Sequence, residues 1–256
     1  MLRTSFVLVL CVASFGFAQT SQITVTSAAG SSTDLAASEL ATATGSNLAA
    51  QAAKADSVPW PTSLGGVTVQ VTDSGSATRT AGLLFVSPGQ INFQIPAGTA
   101  LGTATVIVNN GSTMFTAHVQ IRPTAPALFT VNDLGVAAAT AVRIVIPTGI
   151  QSPVPVFQCV DTAGSCRLVP IDPGVDAPVY LSFYGTGLQG RSSLDAVQVK
   201  MGNQTVTPTY VGQQGQFPGL DQVNVGLPLS LRGAGEVSVT VTVDGVTSNA
   251  VKIAVQ

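Results

Sequence analysis

At 256 residues the chain has room for one large or two ordinary domains. Its residues are 45% hydrophobic and only 9% charged, with a formal net charge of −2, against a charged fraction of roughly 25% in ordinary soluble domains. No basic run occurs, which argues against a nucleic-acid partner, and the supply of Val, Ile, Leu and Phe argues against disorder.

The first eighteen residues read as a signal peptide. Arg3 gives the positive start, Phe6 to Ala13 the apolar run, and Gly16-Phe17-Ala18 a small-x-small cleavage site before Gln19. The apolar stretch 5–18 is too short to span a bilayer comfortably. A lipid-attachment cysteine needs a small residue just before it, and Leu10 precedes Cys11. Export to the extracellular side is therefore expected, and cleavage leaves nine basic against twelve acidic residues, a formal charge of −3. No second hydrophobic segment of spanning length appears, and the chain stops one residue after its last expected strand, so no transmembrane anchor is expected.

Beyond the leader, 26 Gly and 15 Pro punctuate short Val/Thr/Ile-rich runs, the composition of an all-β chain. Residues 19–32 hold one alternating run, Ile23-Thr24-Val25-Thr26, an edge strand or a loose tail. Residues 33–55 are ambiguous, since their alanines and the Leu35, Leu40, Leu48 spacing suit a helix. Yet Gly45-Ser46-Asn47-Leu48 resembles Gly185-Thr186-Gly187-Leu188, which follows the clear strand 179–184, so 36–44 also reads as a strand. Strands follow at 66–72, 83–86, 90–95, 103–109 and 113–121, with Val67, Val69 and Val71, then Phe115, Ala117, Val119 and Ile121, on inner faces. Further strands are expected at 127–131 and 141–146, and 154–159 with 166–171 should form a hairpin.

The pattern recurs. Gln90-Ile91-Asn92-Phe93 matches Gln222-Val223-Asn224-Val225 and Pro96 matches Pro228, all at an offset of 132. Thr105-Val106-Ile107-Val108 likewise matches Thr240-Val241-Thr242-Val243. Short strands with turn signals every 8 to 12 residues are the pattern of an immunoglobulin-like sandwich. The expected organisation is all-β: a signal peptide at 1–18, a first immunoglobulin-like β-sandwich at 19–121, a β-rich connector at 122–174 and a second sandwich at 175–256.

Several phrases carry a resemblance to a family. Pro61-Thr62-Ser63-Leu64-Gly65-Gly66-Val67, Phe85-Val86-Ser87-Pro88-Gly89-Gln90-Ile91-Asn92 and Phe217-Pro218-Gly219-Leu220-Asp221-Gln222-Val223-Asn224 are among them, with Ala127-Leu128-Phe129-Thr130 and Tyr184-Gly185-Thr186-Gly187. Nearly all of the mature chain resembles an uncharacterised C-terminal module of secreted acidobacterial proteins. That resemblance implies exported repeats of an immunoglobulin-like or IPT/TIG-like sandwich, and brings no activity and no catalytic residue. The sequence departs from the family in Trp60, where an aliphatic residue is more usual, and in the weak first strand at 36–44.

Chemistry-bearing residues are sparse. Cys159 and Cys166, an even pair in an exported chain, point to a disulfide; a two-cysteine metal site would need further ligands, and the one histidine, His118, lies 41 residues upstream. His118 falls on the outward face of its strand and no Gly-x-Ser-x-Gly elbow exists, so a serine hydrolase is not supported. Only Glu39 and Glu236 join scattered aspartates, and nothing marks a catalytic carboxylate pair; acids in turns are the default. Asp161, Asp172 and Asp176 lie near one another without the spacing of a calcium loop. Neither a cofactor nor a metal is expected. Trp60, Tyr184, Tyr210 and Phe217 could stack on sugar rings or simply pack the core, and Asn92 with Asn224 should bond to backbone. The chain reads as a non-catalytic structural or adhesive protein, whose partner is an extracellular protein or a polysaccharide. A carbohydrate-binding module using Trp60, Tyr210 and Phe217 is the alternative.

Overall fold

Period-2 alternation marks the strands, and the structure, a computed structural model, buries the faces that the alternation selects. It describes residues 21–146, 148–160 and 165–256; the signal segment 1–18 and Asp161 lie outside them. In Thr68–Thr72, Val69 and Val71 are buried and Gln70 is exposed. In Met114–Arg122, Phe115, Ala117, Val119 and Ile121 are buried while His118 faces out. β-branched side chains suit such a half-buried pleated surface.

The fold is all-β and sandwich-like, with four larger sheets and a two-stranded one among the described residues. One sheet runs Ser21–Gln22, Met114–Arg122, Gly102–Asn109, Thr68–Thr72, Thr78–Thr80, and Asp34–Ala36 adds to Met114–Arg122 in parallel. A second runs Thr24–Ser27, Leu40–Thr44, Gln90–Gln94, Leu83–Val86, Ala53–Lys54. The buried faces of both meet in one apolar cluster that includes Leu35, Leu83, Phe93, Val106 and Ile121.

The other two sheets repeat this order. Val179–Thr186, Asp221–Gly226 and Tyr210–Gln213 stand side by side as Leu40–Thr44, Gln90–Gln94 and Leu83–Val86 do. Val251–Val255, Gly235–Val243 and Val197–Met201 correspond likewise to Met114–Arg122, Gly102–Asn109 and Thr68–Thr72. Even the short parallel strand has a counterpart, Pro170–Ile171 on Val251–Val255. A second cluster, with Leu128, Phe183, Met201, Val223 and Val241, fills the space between these sheets.

Several expectations change. The run 36–44 is not one strand, and 33–55 holds no helix. Ser38 adopts a positive φ of 66°, a left-handed conformation that ends an extended run, so Asp34–Ala36 joins one sheet and Leu40–Thr44 the other. The strand at 127–131 shrinks to Ala127–Leu128. Residues 122–174 are built into the sheets rather than strung between them: Ala139–Val145 pairs with both Ile150–Val154 and Val179–Thr186. The expected hairpin keeps only Phe157–Cys159 against Cys166–Leu168, where Cys159 and Cys166 are cross-strand partners joined by the disulfide.

Candidate functional site

The ionisable groups are placed first by burial. Glu39 sits between the two short strands that switch sheets and is 1% exposed. Its Oε2 accepts a hydrogen bond from the Ala36 amide at 2.7 Å, while Oε1 has no hydrogen-bond partner among the described residues. Burial, helped by the nearby Asp221 carboxylate and opposed by Ser27 and the Ala36 amide, raises its pKa to about 8. Asp221, fully buried, is also pushed up by burial although it accepts bonds from the Leu188 amide at 2.9 Å and the Gln189 side chain at 2.8 Å. Nothing in the sequence marks these two acids as a pair; they form the polar centre of the junction between the residues of the first cluster and those of the second.

Thr186 bridges that junction. Its hydroxyl accepts from the Leu40 amide at 2.9 Å and donates to the Gly219 carbonyl at 2.7 Å. Gly187 follows at φ +78°, where a methyl group would run into the Ala125 carbonyl and crowd the Glu39 carboxylate. Thr186 links the halves, while the two acids, sealed from solvent, bond only within their own halves and cannot reach a substrate.

Other candidates are spent locally. His118 has Thr105 Oγ1 at 3.2 Å and stays exposed. Asp73 accepts from the Gly75, Ala77 and Ala100 amides at 3.0 Å each and from Arg79 at 2.6 Å, which holds its pKa down at about 2 with the Ala100 amide the leading cause. Asp172 pairs with Arg232 at 3.2 Å. No group of three or more His, Cys, Asp or Glu among the described residues could hold a metal ion. Asn92 and Asn224 bond to side chains rather than to backbone as expected, each accepting at 2.7 Å from a glutamine two residues earlier, Gln90 and Gln222.

The aromatic candidates divide by exposure. Phe217 is 54% exposed and Tyr210 41%, whereas Trp60 is only 8% exposed. Tyr210 turns its hydroxyl onto the Gln213 carbonyl at 2.6 Å, and Tyr184 lies beside the Thr140 hydroxyl at 3.2 Å. Phe217 rides on the loop between Tyr210–Gln213 and Asp221–Gly226, closed by the Gln214 amide on the Leu220 carbonyl at 2.9 Å. At the base of this loop Gly219, with φ +75°, lies so close to the Ser38 carbonyl and Leu40 that no side chain fits.

The loop so anchored brings Phe217 to the same surface depression as Val58 and Trp60. A depression of about 510 Å³ opens on one side, lined by Trp60, Leu84, Val58, Phe217 and the polar Lys54, Asp56 and Ser57. A second, of about 370 Å³, opens on the other side of Val58 and Phe217 and is lined by Ser38, Gln94, Gln213 and Gln216. A separate cleft of about 640 Å³ borders the 122–127 segment, but its charged groups are already engaged, Arg122 with Asp34 at 3.3 Å and Asp244 with Ser192. Sequence reasoning named Trp60 and Phe217, with Tyr184 and Tyr210, as rings able to stack on sugars. It missed Val58 and the glutamines, whose proximity depends on the junction.

No protein-family model matches the chain, and neither does any curated protein. Among the described residues, no helix is long and apolar enough to cross a membrane.

Proposed function

We propose that the chain is an exported, non-catalytic adhesive module made of two immunoglobulin-like sandwiches in tandem. The observation that carries this reading is the recurrence of one strand order in both pairs of sheets, down to the Gln90–Asn92 and Gln222–Asn224 side-chain bonds at the same 2.7 Å. In this reading the second sandwich takes in strands from 122–174 as well as from 175–256. Such scaffolds bind through loops and strand edges on a rigid frame, and the Phe217 loop is one such feature. The Cys159–Cys166 disulfide suits an oxidising compartment, and the resemblance to secreted acidobacterial modules supports the same placement.

The non-catalytic part rests on where the acids and the imidazole lie. The carboxyls with raised pKa values are sealed, and among the described residues the exposed His118 has a threonine hydroxyl as its one hydrogen-bonding neighbour. Protein recovered from the medium should begin at Gln19 and turn over no generic ester, peptide or glycoside substrate. Hydrolysis of any of these that disappears in His118→Ala would overturn the reading.

A further inference from the structure

We propose that the paired depressions flanking Phe217 form a binding site for a neutral saccharide chain. This rests on the reading of the protein as a non-catalytic binding module and names the ligand class and the place.

Chemistry and charge converge on that class. An exposed aromatic ring offers an apolar face to the C–H side of a sugar, and Phe217 is the aromatic that stands out from the surface here. Hydroxyl-rich ligands also need donors and acceptors that are not already committed. Lys54, Asp56, Ser57 and the Gln216 side chain line the depressions with no hydrogen-bond partner among the described residues, and Gln94 uses only its Nε2, on the Ser38 carbonyl at 3.0 Å. The Trp60 indole N–H likewise has no hydrogen-bond partner among the described residues, although the ring is mostly buried.

The lining carries one cation, Lys54, and one anion, Asp56, so it has no net charge with which to select an ionic ligand. Each depression falls within the roughly 300–1,000 Å³ typical of small-ligand sites. Because they adjoin across Val58 and Phe217, a chain of several sugar units can occupy both, which a single monosaccharide cannot do. The 640 Å³ cleft offers no comparable exposed aromatic.

Trp60 is the one tryptophan of the chain, which gives a built-in reporter. The full exported protein is titrated with neutral hexasaccharides of β-1,4-linked glucose, xylose, mannose and N-acetylglucosamine while Trp60 emission is followed. Affinity electrophoresis through gels containing the corresponding soluble polysaccharides reads binding independently of the indole. At least one saccharide should shift the emission saturably and retard the protein. Phe217→Ala should weaken that binding by about tenfold or more, while Leu134→Ala, exposed elsewhere, should not. Three outcomes overturn the site: no retardation by any of the four, equal retardation of Phe217→Ala, or stronger binding of polygalacturonate than of every neutral chain. Shortened saccharides in the same tubes would overturn the non-catalytic reading itself, whereas intact saccharides without binding overturn only this site.

Discussion

With its pKa raised to about 8 by burial, Glu39 is protonated in the folded chain at neutral pH, yet ionises near its ordinary 4.5 once unfolded. Between those values the unfolded state binds fewer protons, so stability falls as pH rises from about 4.5 to about 8. Asp221, shifted in the same direction, adds to the fall. Asp73 works in the opposite sense: its contribution is present above 3.8 and is lost as pH drops toward about 2. Denaturant titrations from pH 3 to pH 9 should therefore place maximal stability at about pH 4–5, and Glu39→Gln should flatten the decline above it. An unchanged decline in that variant would show that Glu39 does not control it. Gly187→Ala belongs to the same scale. The methyl must displace the Ala125 carbonyl at a positive-φ position, which should destabilise by about 2 kcal/mol or more in the same titration.

Elements are tied to one another by a few polar clamps. Asn249 donates to the Leu128 carbonyl at 2.9 Å and accepts from its amide at 2.8 Å, so it terminates the short strand Ala127–Leu128 as a third strand would. Asn249→Ala should cost about 1–3 kcal/mol by leaving those groups unpaired, with faster amide exchange at Leu128 as the local sign. The disulfide clasps the Phe157–Cys159 and Cys166–Leu168 hairpin. Its reduction should release ~2.5 kcal/mol of chain-entropy stabilisation, and the oxidised protein should weigh two hydrogens less than the reduced one. Much of this was legible in sequence, because strands such as Thr68–Thr72 and Met114–Arg122 carry their inner faces in their own alternation. The break at Ser38 was not, since nothing in the local pattern demands a left-handed serine there. The tertiary placement of Leu35 in the first core does. Parallel partners such as Pro170–Ile171 were equally hidden, as they are chosen by contacts distant in sequence. For the site, the aromatic residues were recognisable by their chemistry but their neighbours were not, because Val58 and Gln216 line one depression only once the halves are joined.

At the scale of the molecule, the two apolar clusters meet through a polar hinge-point at which Thr186 satisfies one group from each side. Thr186→Val keeps the shape but strands the Leu40 amide and the Gly219 carbonyl, each worth about 1–3 kcal/mol when buried and unpaired. Calorimetry should show one unfolding transition in the parent and two in this variant; a single transition in both would mean that other contacts couple the halves. Four ion pairs occur among the described residues, and three of them, Arg122–Asp34, Arg232–Asp172 and Lys252–Glu236, have both partners about half exposed. Exposed pairs contribute little and added electrolyte screens them, while the chain's cohesion lies in apolar packing and backbone ladders. The fold should accordingly hold its melting temperature from dilute freshwater to seawater salinity, a tolerance that would suit the export proposed above.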